Sequence, residues 1–310
     1  MKILVTGGAG FIGSHVAEAY LAAGHDVAVL DDLSTGHAEN LPVGVRFHRV
    51  DLRERAAVAA AVAAERPEVI SHHAAQMDVR RSVADPVFDA EINLIGLLNL
   101  LEEARQYGLR RVLFASSGGT VYGESQRVPT REEDSTEPVC PYGVAKLGGE
   151  RYLHYYAHVY GIRSVALRYA NVYGPRQDPH GEAGVVAIFS GLLLDGASPV
   201  INGGGTQTRD YVYVGDVAQA NLLALDSDYA GPLNIGTGIE TDVNRLFALL
   251  REASGARVEA RHGPAKAGEQ SRSALDPSRA RATLGWTPTV PLAEGLARTV
   301  EFFRARRAVA

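Results

Sequence analysis

The segment "TGGAGFIGSH", residues 6–15, constrains this chain more than any other. It follows Lys2 to Val5, which read as a short buried strand, and opens a stretch, 11–23, whose apolar residues recur at helical spacing until Gly24 ends the pattern. Its glycines, at 7, 8, 10 and 13, fit both a G-x-x-G-x-x-G and a G-x-G-x-x-G frame, and such a turn by itself is equally a local backbone device. Strand, glycine turn and helix in that order are what a dinucleotide seat requires. Glycines let the backbone approach a pyrophosphate, and free N–H groups at a helix start offer donors and a partial positive charge. The next strand pattern, "DVAVLD", ends on Asp31. An acid about 20 residues beyond such a turn is placed to bond a ribose hydroxyl.

The periodicity predicts strands over 2–6, 26–31, 45–50, 68–73, 111–116 and 164–169, separated by helices near 11–23, 53–65, 86–107 and 142–160. That alternation is the sequence form of an α/β doubly wound parallel sheet. Beyond residue 175 the regularity weakens, with helices near 183–195, 215–226, 242–254 and 291–306 and short strands near 199–202 and 210–213. The expected organisation is a nucleotide-binding domain over 1–175, its sheet completed by later segments, and a smaller substrate region over 176–310.

A chain of 310 residues with 46% hydrophobic and 22% charged content is an ordinary globular protein. Its net charge of −5 gives no general attraction to nucleic acid or anionic membranes, and "RARR" at 304–307 reads as a solvated helix end. One cysteine, Cys140, excludes an internal disulfide and fits a reducing cytosol. The first strand begins at residue 2, leaving no room for a signal peptide, and no apolar run approaches the roughly 20 residues of a membrane span. A cytoplasmic, membrane-free protein is expected.

"PYGVAK", residues 141–146, supplies a reactive pair. Tyr142 and Lys146 share a helical face, and Pro141 suits the helix entrance. A phenol with a pKa of about 10 is a poor base at neutral pH, but a nearby ammonium favours the phenolate and makes Tyr142 a general base. Alone, the pair reads sooner as a surface Tyr and Lys; the dinucleotide turn upstream reverses that reading. Just before that helix, "RRVLFASS" runs into "GGTVYG" and puts Ser116, Ser117 and Thr120 at the carboxyl end of a parallel strand, the edge where such sheets bind ligands. The alternative is a serine-rich turn satisfying its own backbone.

Together with "DDLSTG", "HHAAQ", "LRYANVYGPRQ", "GGGTQTRDYVYVGDVA" and "NIGTG", these motifs resemble those of the extended short-chain dehydrogenase/reductases, most closely the nucleotide-sugar 4-epimerases, from Lys2 to about Phe303. The resemblance implies a Rossmann domain that binds NAD and a smaller region that binds a UDP-sugar. By that likeness Gly7, Gly10, Phe11, Ile12 and Gly13 seat the pyrophosphate, while Asp31, Asp32, Ser34, Thr35 and Gly36 surround the adenosine ribose. Asp51 and Leu52 meet the adenine. His73, Ala74, Ala75, Gln76 and Asn93 line the cofactor channel, and Ser116, Tyr142, Lys146 and Tyr169 hold its nicotinamide end. Asn171, Gln207, Arg209, Lys266 and Arg272 grip the nucleotide-sugar, with Ser273 at its sugar. No Arg or Lys follows Asp31 closely enough to accept a 2′-phosphate, which favours NAD over NADP.

In the resembling family the Tyr base and the cofactor carry out a reversible oxidation at sugar C4. Two departures stand out. Gly118 occupies the position of a common catalytic serine, so Thr120, or Ser117, must supply that hydroxyl. Lys266 stands where Arg is frequent, and Ser273 where some members carry Tyr, implying room for an N-acetylated sugar. Dehydratases of the superfamily place an Asp-Glu pair, and decarboxylases a Glu, where this chain has Gly119 and Thr120; NAD-sensing relatives lose the Tyr/Lys pair that is intact here. His48, His72 and His73 lack metal-ligand spacing, so no metal is expected. Apolar positions Ile92, Leu97, Leu101, Leu153 and Tyr156 read either as core or as the homodimer interface that the family builds from these two helices.

Overall fold

The computed structural model describes residues 1–179, 184–265 and 270–309. Strands β1 (Lys2–Thr6), β2 (Asp26–Asp31), β3 (Arg46–Arg49), β4 (Val69–His72), β5 (Arg111–Ser117) and β6 (Arg163–Tyr169) join a last strand, Gly231–Ile235, in one seven-stranded sheet. All neighbours pair in parallel, in the order Gly231–Ile235, β6, β5, β4, β1, β2, β3. The order reverses between β1 and β4, where Val5 lies opposite Ser71. The carboxyl ends of those two strands therefore border the crevice in which such sheets bind ligands.

Two apolar layers sandwich the sheet. On one face Val16, Ala17 and Tyr20 of helix α1 (Phe11–Ala22) pack with Val217, Ala220 and Ala224 of the Val214–Asp226 helix and with Trp286. On the other, Val58 and Val62 of α2 (Arg55–Glu65) meet Leu97, Leu100 and Leu101 of the Gly96–Ala104 helix and Leu153 and Tyr156 of the Pro141–Tyr160 helix. Leu97, Leu101, Leu153 and Tyr156 are thus core, whereas Ile92 is only partly buried. Full burial of such side chains stabilises by roughly 1.5–3 kcal/mol each, so this face belongs to the fold. A separate cluster, with Phe189, Leu246, Phe247, Leu296 and Val300, is built from the Val185–Leu194, Val243–Ser254 and Leu292–Val309 helices.

Two sequence expectations change. The continuous helix predicted over 86–107 is broken into Pro86–Ala90, a π-helical turn at Glu91–Ile95, and Gly96–Ala104. Gly96 lies so close to Leu52 that a Cβ would come within 2.8 Å of the leucine Cβ. The widened turn accompanies Asn93 pointing inward, its carboxamide bonded to both backbone groups of Gln76. The final strand, "GPLNI", opens on two turn-forming residues and shows no strand pattern of its own; its pairing with β6 is a tertiary effect.

Candidate active site

At the end of β1 the glycine turn is held by backbone contact. Gly7 adopts φ +68°, and a Cβ there would sit 2.5 Å from the Ala74 nitrogen. A Cβ on Gly13 would meet the Gly7 carbonyl oxygen at 2.1 Å. No side chain caps the start of α1, so its first N–H groups are offered to a ligand. Asp31, buried at the end of β2, accepts from Ala9 N at 3.0 Å and Leu33 N at 2.8 Å, and burial raises its pKa. It braces the turn. Gly36 approaches it closely, whereas Asp32 bonds the amide and hydroxyl of Ser34 and Thr35 is exposed. Arg53 clasps both oxygens of Asp51 and holds that carboxyl below the usual range, while Leu52 is packed in the core. An uncapped helix start, a turn in which Gly7 and Gly13 leave no room for a Cβ and a buried acid at the next strand end fit a dinucleotide.

Beyond that turn, β4 continues into His73–Gln76. His73 stacks on Tyr169 with ring centroids 6.5 Å apart, and burial with the charge of Lys146 lowers its pKa to about 3, so the ring is neutral. Ala74 N donates to Thr6, and Ala75 lies between it and the Gln76–Asn93 pair. The Tyr169 hydroxyl accepts from Asn221.

The Pro141–Tyr160 helix carries the reactive pair. Proline at its first position and close packing of Gly149 on the Phe114 ring, where a Cβ would come within 2.8 Å, set it hard against β5. Lys146 is 2% exposed and donates to the Ala115 carbonyl at 2.9 Å; its ammonium lies 5.7 Å from the Tyr142 ring centroid. Burial lowers its pKa to about 8, partly offset by Asp89. Ser117, Thr120 and Tyr142 open onto one cleft of about 1150 Å³. The glycine at 118 packs closely: a Cβ there would lie 2.4 Å from Leu275 Cδ1, so a serine would require the leucine side chain to shift. Ser116, at the cleft edge, donates its hydroxyl hydrogen to Glu150 at 2.6 Å.

Phe11, Ile12, Asn171, Gln207 and Arg209 line the same cleft. Arg272 and Ser273 are not among its lining residues. Glu240 neutralises the Arg272 guanidinium at 2.9 and 2.5 Å, and Ser273 is tied through its backbone to the Thr208 carbonyl. Lys266 lies outside the described residues. Among the described residues no group of three or more His, Cys, Asp or Glu is placed to hold a metal, and no helix is long and apolar enough to cross a membrane.

Sequence reasoning missed Asp89, Glu150 and Arg168. Asp89 is 1% exposed, accepts from Gln76 and Asn93 at 2.9 Å each, and lies in Coulombic reach of Lys146. Its i, i+4 spacing to Asn93, like that of Glu150 to Lys146, was the available signal.

Residues 3–236 match the NAD dependent epimerase/dehydratase family. A UDP-glucose 4-epimerase of Mycolicibacterium smegmatis is 48% identical over 98% of this chain and 99% of its own length. The crystal structure of UDP-glucose 4-epimerase from Thermotoga maritima, with UDP-glucose, superposes with a TM-score of 0.97 at 47% identity, covering 99% of this chain and 100% of that one. The crystal structure of the Thermus thermophilus UDP-glucose 4-epimerase complex with NAD gives a TM-score of 0.94 at 49% identity, covering 98% and 99%.

Proposed function

Because the chain belongs to the NAD dependent epimerase/dehydratase family, we propose that it interconverts UDP-glucose and UDP-galactose by epimerisation at sugar C4. It is an NAD-dependent isomerase that works through a transient 4-keto sugar. The observation that carries the reading is the meeting of Tyr142, backed by Lys146, with the hydroxyls of Ser117 and Thr120 in the cleft that Phe11 and Ile12 of the glycine turn also enter.

NAD would be held along Gly7–Gly13 and Asp31 and would supply reversible hydride acceptance at sugar C4. Tyr142 takes the proton of the 4-hydroxyl on its phenolate oxygen and gives it back to O4 after the keto sugar has turned over. The Lys146 ammonium favours that phenolate. Thr120, or Ser117, hydrogen-bonds O4, and Asn171, Gln207 and Arg209 hold the UDP while the sugar rotates.

The protein works in the cytoplasm as a homodimer. Exposed apolar residues on the outer faces of neighbouring helices, Val83, Val87, Ile95, Val144, Tyr155 and Val159, support that assembly.

The test is incubation of purified protein with UDP-glucose and no added cofactor, followed by NMR. UDP-galactose is expected, without net change in reduced-nicotinamide absorbance. Accumulating NADH in step with turnover would identify a dehydrogenase and sink the reading.

A further inference from the structure

Behind the cleft lies a polar network that the reaction as described does not use. Glu150, one helical turn beyond Lys146, forms a two-point ion pair with Arg168 of β6, at 2.9 Å to Nε and 2.6 Å to Nη2. The side chains are 9% and 4% exposed. The same carboxylate accepts the Ser116 hydroxyl at 2.6 Å. The third guanidinium nitrogen, Nη1, donates to the Tyr122 oxygen at 2.8 Å, and Tyr122 donates to Asn234 Oδ1 at 2.7 Å. Burial pushes the Tyr122 phenol up to about 12, so it keeps the proton it donates. Asn234 in turn donates to the Thr130 carbonyl at 2.9 Å.

Ser116 and Tyr122 are the two ends of the turn that carries Ser117, Gly118, Gly119 and Thr120. The Thr120 hydroxyl makes a long 3.5 Å contact to the Ser117 carbonyl. Both ends of the turn are therefore bonded to one buried ion pair, and one member of that pair sits on the helix of Tyr142 and Lys146. We propose that Glu150 and Arg168 are positioning residues that set the hydroxyl-bearing turn against the Tyr142–Lys146 helix.

A buried ion pair is weak ground for stability, because a well-packed apolar pair of similar volume often replaces it at no loss, whereas removing one partner strands a buried charge. That difference separates positioning from stabilisation. Glu150→Gln alone should lower Tm. The double variant Glu150→Leu/Arg168→Met should recover Tm and retain NAD, keep KM for UDP-glucose within about twofold, and still lose about 10- to 100-fold in kcat, the scale on which misplaced groups act. Ser116→Ala and Tyr122→Phe each cut one link, leave the ion pair intact, and should lower kcat with KM unchanged. Wild-type kcat in the double variant, or in both single-link variants, would overturn the proposal.

The inference rests on the epimerase reading, so it also needs a readout free of activity. Amide hydrogen exchange over residues 116–122 should quicken in Tyr122→Phe while the Pro141–Tyr160 helix stays protected. Unchanged exchange in the turn overturns the positioning role whatever the reaction proves to be.

Discussion

On the dinucleotide side of the cleft Gly7, Gly13 and Asp31 lie within the first 31 residues, and each is fixed by a backbone group close by in sequence or on the adjoining strand. On the nucleotide-sugar side Asn171 comes from one segment and Gln207 and Arg209 from another, joined at Asp210, whose buried carboxylate ties in two further segments. Asp210 accepts from Thr237 N at 2.9 Å, Gly238 N at 3.0 Å and Leu275 N at 3.2 Å, and Asn171 N donates to its carbonyl at 2.9 Å. Burial raises the pKa of this acid, so its carboxylate bonds to the 237–238 and 275 segments are made at the cost of desolvation. A seat made of backbone contact has no tolerance for added atoms. A seat made by one side chain depends on that side chain.

The largest effect belongs to the chemistry where the two sides meet. Tyr142→Phe should lower turnover by about 10²–10⁴-fold while NAD stays bound, as measured by NMR turnover and cofactor content of the purified variant. Thr120→Val, measured in parallel, should follow it at smaller magnitude; a wild-type rate there would move the hydroxyl role to Ser117.

The comparison itself is sharpened by a pair of variants. Gly13→Ala pushes a methyl into the Gly7 carbonyl, and overfilling of about 1–3 kcal/mol corresponds to roughly 5- to 150-fold weaker NAD retention. Asp210→Asn swaps an acceptor for a donor facing three N–H groups. It should raise KM for UDP-glucose by a similar factor and leave NAD content unchanged. If Gly13→Ala and Asp210→Asn both lose NAD equally, the two sides are not independently built.

Lys146 gives a pH signature. Its ammonium is charged below a pKa of about 8, so the phenolate loses its counter-charge and turnover should fall as pH rises through that value. The stability sign is opposite. The unfolded value is about 10.4, so between about pH 8 and 10.4 the unfolded chain binds more protons and stability rises with pH. Lys146→Met should therefore raise Tm at neutral pH, by calorimetry, while lowering turnover by less than Tyr142→Phe does.

The smallest effects are expected at the rim. Arg272 forms an exposed ion pair with Glu240, so Arg272→Ala should change Tm and KM by no more than about 1 kcal/mol equivalent. Ser273→Tyr should leave the ratio of activities on acetylated and unacetylated UDP-sugars unchanged. A selective loss on the acetylated pair would bring position 273 back to the sugar.

The glycine turn with its strand and helix, Asp31, and the Tyr142–Lys146 pair are all legible along the chain. Each is specified within one element, where a turn needs glycine, a helix repeats every 3.6 residues, and a strand end is marked by its last apolar residue. That Gly231–Ile235 completes the sheet is settled by tertiary contact, because a strand without its own pattern forms when a neighbour's hydrogen-bonding edge is open to it. Likewise Leu275 packs against Gly118, and Glu150 binds Ser116 and Arg168 from three different elements. Those contacts join residues distant along the chain, and periodicity carries no information about which of them will meet.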